Sequence, residues 1–236
     1  MKNYITISND YFEMIIPSSL KKYGEEVLNY STSKIIEFLS FFKKQGYEKI
    51  KCAFLLDYND FITRIKQVST PNTSLPPKWA TGCFYGGEIQ ILLDRNNPYL
   101  RFNTLAHESF HLLFSKFIYE KKYINRIIWL DESLAINFDG TTEKLIESNK
   151  FKKNIIKLLN NQKLPKMNEL SFSKGNIITE DYNGYDLFKI VGRYLIETKQ
   201  RDELFNYIND NQKVINDGEK ILVESLDYFV KKYSLK

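Results

Sequence analysis

This 236-residue chain contains only two histidines, and they flank a glutamate four residues apart, in His107-Glu108-Ser109-Phe110-His111. On a helix, residues four apart share a face with their Cβ atoms about 5–6 Å apart, so both imidazoles can reach one ion. Imidazole nitrogen is a favoured zinc ligand, and zinc is the metal this spacing suits. Glu108, one residue on from His107, points elsewhere on the helix and is placed to act as a general base rather than a ligand. The bland alternative is two core histidines bonded to backbone carbonyls. That would sink three polar groups in an apolar run, at a cost of roughly several kcal/mol unless each is paired.

The neighbours predict the helix. Leu100, Leu105, Leu112 and Leu113, with Phe102, Phe110, Phe114 and Phe117, give apolar density at helical spacing, Pro98 offers a start, and Glu120-Lys121-Lys122 breaks the stripe. A catalytic zinc takes three protein ligands and leaves a place for water. With no third histidine, a carboxylate must complete the set. Trp129-Leu130-Asp131-Glu132-Ser133-Leu134-Ala135-Ile136-Asn137-Phe138 is a second helical pattern, with Leu130, Leu134 and Phe138 spaced by four. Returning beside the first helix, it brings Glu132 or Asp131 to the metal.

His107-Glu108-x-x-His111, followed twenty-one positions later by Glu132 inside Trp-Leu-Asp-Glu-Ser-Leu-Ala, resembles the gluzincin zinc metallopeptidases, thermolysin-like in fold. It is most similar to small bacterial peptidase MA-like proteins, whose second motif reads Trp-Leu-x-Glu-Gly-x-Ala. The resemblance implies His107, His111 and Glu132 as ligands of Zn2+, Glu108 as the base, and a peptide or protein substrate; Asp131 stays open as the neighbouring alternative to Glu132. It also implies a tyrosine near the start of a later helix that hydrogen-bonds the oxyanion. Tyr185 takes that place, Tyr182 is its alternative, and plain packing is the competing role. The likeness runs from a Gly-rich strand before the first motif to the stretches 163–170 and 185–197 after the second, and only the two zinc motifs are specific. Two positions depart from it. Ser133 replaces the usual glycine, and Ile136 stands where thermolysin has an aspartate that orients a ligand histidine, which leaves Asn103 or Asp139 for that task.

Other elements must hold these residues. Tyr4-Ile5-Thr6-Ile7 and Tyr11-Phe12-Glu13-Met14-Ile15-Ile16 read as two strands around a turn, closed by Pro17. Ser18 or Ser19 then caps a long helix to about Lys44, with Leu20, Tyr23, Val27, Ile35, Phe38, Leu39 and Phe42 as its stripe and Gly46 as its stop. Lys51-Cys52-Ala53-Phe54-Leu55-Leu56 is a strand, 57–67 a short helix, and 68–78, with Pro71, Pro76 and Pro77, a loop. After it, 82–93 reads as a glycine entrance and one alternating strand. Its glycines suit either an edge that pairs with an extended peptide or an ordinary turn. Arg201 onward gives two closing helices, around Leu204, Tyr207 and Ile208 and around Ile221, Leu222, Leu226 and Phe229.

The predicted fold is α+β: an N-terminal lobe, 1–120, with a mixed sheet and a long helix, the His-Glu-x-x-His helix at the lobe boundary, and a helical C-terminal lobe, 121–236, carrying the third ligand. Hydrophobic content of 43% with 27% charged residues is that of a soluble globular chain. No apolar run is long enough for a membrane span, and no signal peptide opens the chain, so a cytoplasmic location is expected, or secretion if a leader has been removed. Cys52 and Cys83 are too far apart for a metal pair and read as reduced thiols on strands. The net charge of +5 gathers in 149–166, where lysines form the solvated face of a helix built on Phe151, Ile155, Ile156 and Leu159. Arginines interleaved with exposed aromatics are missing there, which speaks against a nucleic-acid partner. The sequence thus predicts a zinc metallopeptidase. Its rivals are a catalytically silent or regulatory binding protein on the same fold and a repressor-cleaving regulator with a different third ligand.

Overall fold

A computed structural model of the chain describes residues 3–46, 48–70, 74–76, 80–119, 126–161, 164–171, 177–180 and 182–235. Pro71 and Pro77 of the predicted loop, the expected helix end at Glu120, Lys121 and Lys122, the boundary at 120/121, and Lys163 lie outside them. Phe12, Met14 and Ile16 are fully buried and the intervening Glu13 is exposed, the period of two of a strand. Five strands make one mixed sheet: β1 (Tyr4–Ser8), β2 (Phe12–Pro17), β3 (Ile50–Leu55), β4 (Gly82–Tyr85) and β5 (Glu88–Leu92), in the order β1-β2-β3-β5-β4. The outer pairs are antiparallel, and β3 runs parallel to β2 and to β5. Asn9 shapes the first hairpin by accepting the N–H groups of Tyr11 and Phe12 at 2.9 Å. The class is α+β, as predicted.

Two local expectations fail. The second half of 82–93 is the expected strand, β5, but the glycine entrance before it is itself a strand, β4, and the two form a hairpin. Gly86 and Gly87 both take positive φ, +56° and +79°, the pair of left-handed residues that a tight two-residue turn demands. Neither Ser18 nor Ser19 caps the long helix. They lie in a 3-10 turn, Ser18–Leu20, with the Ser18 N–H still bonded to the Asn3 carbonyl at 2.8 Å, so helix α1 (Lys21–Phe41) starts only after the chain has left the sheet. It also ends before Lys44, because Lys43 is already left-handed.

Residues 1–112 and 113–236 form two compact units. In the first, strand register puts Met14, Cys52 and Ile89 on one face of the sheet and Ile15, Ala53 and Gln90 on the other. Gly24 lets α1 lie against the first face, where a Cβ would meet Ile16 and Ile7 at 2.8 Å. Helix α2 (Tyr58–Val68), capped by Asp57, covers the second face with Phe61 and Ile65 packed on Ala53 and Leu55. Arg64 on α2 forks onto the buried Glu88 of β5, with Nε 2.8 Å from Oε1. A 3-10 turn, Pro98–Arg101, leads into helix α3 (Thr104–Phe114), which crosses the division between the units and continues as a π-helical turn, Ser115–Tyr119.

The described secondary structure of the second unit is helical apart from one bridge, Ile178 to Asn183. Its helices are α4 (Ile128–Phe138), α5 (Thr141–Leu145), α6 (Asn149–Asn161), α7 (Gly184–Thr198), α8 (Arg201–Ile208) and α9 (Asn211–Lys232). Helix α4 is buried almost all round, Trp129, Leu130, Leu134 and Ala135 being inaccessible or nearly so. It packs along α7, where Gly192 meets the Ser133 carbonyl so closely that no Cβ fits. Asn137 ties the two together by donating to the carbonyls of Ser133, at 2.8 Å, and Lys189, at 3.2 Å. Among the described residues no helix is long and apolar enough to cross a membrane. Gly192→Ala must therefore push α7 off α4, and we expect a loss of about 1–3 kcal/mol in urea-induced unfolding; a variant as stable as the parent would contradict this packing.

Candidate metal centre

Exposure along α3 recurs every four residues. Asn103 and Thr104, His107 and Glu108, His111 and Leu112 are half-buried, while Leu105, Ala106, Ser109, Phe110, Leu113 and Phe114 between them are buried. That is one stripe on a 3.6-residue helix, and it carries all three residues of the motif. Aromatic rings clamp the buried flank beside that stripe: Phe110 meets Phe38 of α1 edge-on at 5.2 Å, and just before the helix Phe102 meets Tyr23 and Tyr30. The backbone N–H of His107 donates to the Asn103 carbonyl at 3.0 Å, so Asn103 helps fix the start of the helix through its main chain.

The two imidazoles face each other. Their Nε2 atoms are 3.0 Å apart, with rings at 88° and centroids 4.6 Å apart. Two Zn–N bonds of about 2.0–2.1 Å at a tetrahedral angle would set their nitrogens about 3.3 Å apart, close to what the rings already show. His107, His111 and Glu132 each offer one ligand atom, and these atoms lie within 4.8 Å of one another. Two imidazole nitrogens and a carboxylate oxygen are a donor set suited to zinc, so the residues fit the ion. Asp131, the alternative third ligand, is not among the three.

Glu108 is set against β4. Gly82 packs so tightly on the Glu108 carboxyl group that a Cβ at 82 would occupy its place. Gly82 pairs with Ile91, on the sheet face that α1 covers, and β4 is an edge strand.

Around Glu132, Arg126 precedes α4 and reaches forward over its first turn. Its Nε donates to Asp131 Oδ2 and its Nη2 to Glu132 Oε1 at 3.0 Å. Burial opposes the Arg126 charge, but Asp131 and then Glu132 outweigh it and hold the guanidinium protonated more firmly than usual. Tyr119 is almost wholly buried, and burial first, the Asp131 charge second, push its phenol far up.

Tyr185 stands in the first turn of α7, its N–H bonded to Asn183 Oδ1 at 3.0 Å and its ring edge-on to Phe188 at 5.7 Å. Tyr182 lies just before that helix, its phenol raised by burial and by Glu169. Asp139 caps the end of α4, where its Oδ1 accepts the Thr141 N–H at 2.7 Å. Ile136 is buried and Ser133 inaccessible. Sequence reasoning missed Arg126, because a lone arginine before a helix carries no motif; only its spacing, five and six residues ahead of two carboxylates, was a signal.

Comparisons with protein families, curated proteins and solved structures return no match, so the case for a function rests on the chemistry of these residues.

Both thiols are free, Cys52 buried on β3 and Cys83 half-buried on β4. Burial, then the Glu108 charge, pushes Cys83 up to about 12, while burial, then Glu88, pushes Cys52 well above its usual range. A raised thiol pKa means the folded state holds its proton longer than the unfolded state, so the sign is negative with pH: stability falls as pH rises from the unfolded value near 9 toward 12. Native protein is expected to resist iodoacetamide at pH 8 and to react at both cysteines once unfolded in urea, read by intact mass. Rapid native labelling at Cys83 would contradict this environment.

Proposed function

We propose that the chain is a zinc-dependent peptidase in which His107, His111 and Glu132 hold the metal and Glu108 is the general base. The observation that carries this reading is the gathering of ligand atoms from those three side chains within 4.8 Å, with Glu108 on the same half-buried stripe as the histidines. When bound, zinc would supply Lewis acidity to a peptide carbonyl and to water. Glu108 follows His107 by one residue, about 100° around the helix, so it stands outside the ligand set and keeps its carboxylate for proton transfer. It accepts a proton from the attacking water and returns it to the leaving amine. Its contact with Gly82 sets the base beside an edge strand, and an extended peptide adding to that edge brings its backbone past the carboxylate. Tyr185 is the proposed donor to the oxyanion, with Tyr182 as its alternative.

Elemental analysis of metal-loaded protein should find one zinc per chain, and Glu132→Ala should lose it. Glu108→Gln should keep the zinc while kcat on a peptide library falls at least about 10²-fold; undiminished turnover in that variant would refute the assigned base. A digest that stays blank at full zinc occupancy favours the silent binding protein instead. Gly82→Ala offers a separate check. The atoms in its way belong to the flexible end of Glu108, so the melting temperature should hold while activity drops through a displaced base. Equal activity would show that the Glu108 position is not catalytic.

A further inference from the structure

We infer that Arg126 is the positioning residue for the third ligand, bridging buried Asp131 to Glu132 and so fixing the Glu132 carboxylate where a cation can be bound. This rests on the zinc reading and adds what holds one of its ligands. The two carboxylates differ in role. Asp131 has a side chain only 2% exposed, in the first turn of α4, where the helix dipole favours a negative charge. A carboxylate so deeply placed needs a permanent partner, and Arg126 Nε supplies it. The guanidinium is rigid and planar, so anchoring Nε on Asp131 aims the neighbouring Nη2, which meets Glu132 Oε1 at 3.0 Å. Glu132, 13% exposed, is thereby held by a fork that is itself held by a buried anchor. A glutamate with three free torsions loses that freedom when it ligates an ion, and one already restrained loses less.

Charge and position predict opposite outcomes when Arg126 is removed. With neutral imidazoles, Asp131, Glu132 and Arg126 sum to one negative charge, and without the arginine the sum is two. If Arg126 mattered only as a nearby positive charge, its loss would tighten binding of a divalent cation. If it orients Glu132, its loss weakens binding despite the added negative charge.

The test titrates zinc into the full chain against a chromophoric chelator for the parent, Glu132→Ala, Arg126→Gln and Arg126→Lys. A cobalt-substituted visible spectrum, which reports coordination number and is blind to fold stability, is recorded for each. Arg126→Gln should weaken zinc binding about 10–100-fold and change the cobalt bands. Arg126→Lys keeps the charge that Asp131 needs, so it folds even if the glutamine variant does not. Its ammonium cannot grip two carboxylates as a fork does, so zinc binding should again weaken and the cobalt bands shift. Parental or tighter zinc affinity in the lysine variant, or in a folded glutamine variant, overturns the inference. If Glu132→Ala loses zinc while the arginine variants keep it, this inference alone fails. If the parent binds no zinc, or Glu132→Ala binds it as tightly as the parent, the metal assignment fails as well.

Discussion

Two imidazoles four residues apart can share an ion only while the helix beneath them keeps its pitch and its rotation, and here aromatic packing sets both. Phe110 lies against Phe38 on the buried flank of α3, and Phe102, just before the helix, against Tyr23 and Tyr30. Rolling the helix by even one residue, about 100°, would bury an imidazole and expose a phenylalanine, which large apolar rings strongly oppose. The half-buried stripe of His107, Glu108 and His111 is thus the remainder left after the apolar residues have chosen their side. Gly82 then completes the setting of Glu108, since the strand comes as near as it does only because position 82 has no side chain.

On the carboxylate side the organising force is burial of charge. Asp131 is enclosed on a helix buried almost all round, a placement that demands compensation, and Arg126 answers it from the residues just ahead of α4. Helix α4 is itself fixed by α7 through the missing side chain of Gly192 and the two bonds of Asn137. A short chain of contacts therefore runs from the backbone of α7 to the Glu132 carboxylate.

Much of this was legible in the residues. The periodic apolar positions gave the strands of the first hairpin, α2, α4 and the closing helices, because period two and period 3.6 are imposed by burial itself. Leu204, Tyr207, Ile208, Ile221, Leu222, Leu226 and Phe229 are all buried, as their spacing predicts. The spacing of His107 and His111 likewise put two imidazoles on one face of a helix, where their Nε2 atoms lie 3.0 Å apart. What stayed hidden depends on contacts between residues distant in sequence or on backbone torsions. Gly86-Gly87 reads equally as an edge entrance or as a turn until both are seen at positive φ. The serines after Pro17 look like caps, yet the chain is still bonded to Asn3 there. The Arg64 fork on Glu88 and the Arg126 fork on Asp131 and Glu132 have no pattern, because one arginine is as compatible with open solvent as with a buried partner.

The glycine hairpin also bears on colloidal behaviour. Strand β4 is an outer strand and shows Phe84 to water, 44% exposed, a combination that in a longer strand would invite a second molecule to extend the sheet. Gly86 ends the strand after four residues, about 13 Å of rim. So short a rim offers a fibril-forming neighbour few hydrogen bonds, and sheet-to-sheet aggregation gains little foothold there even in concentrated solution.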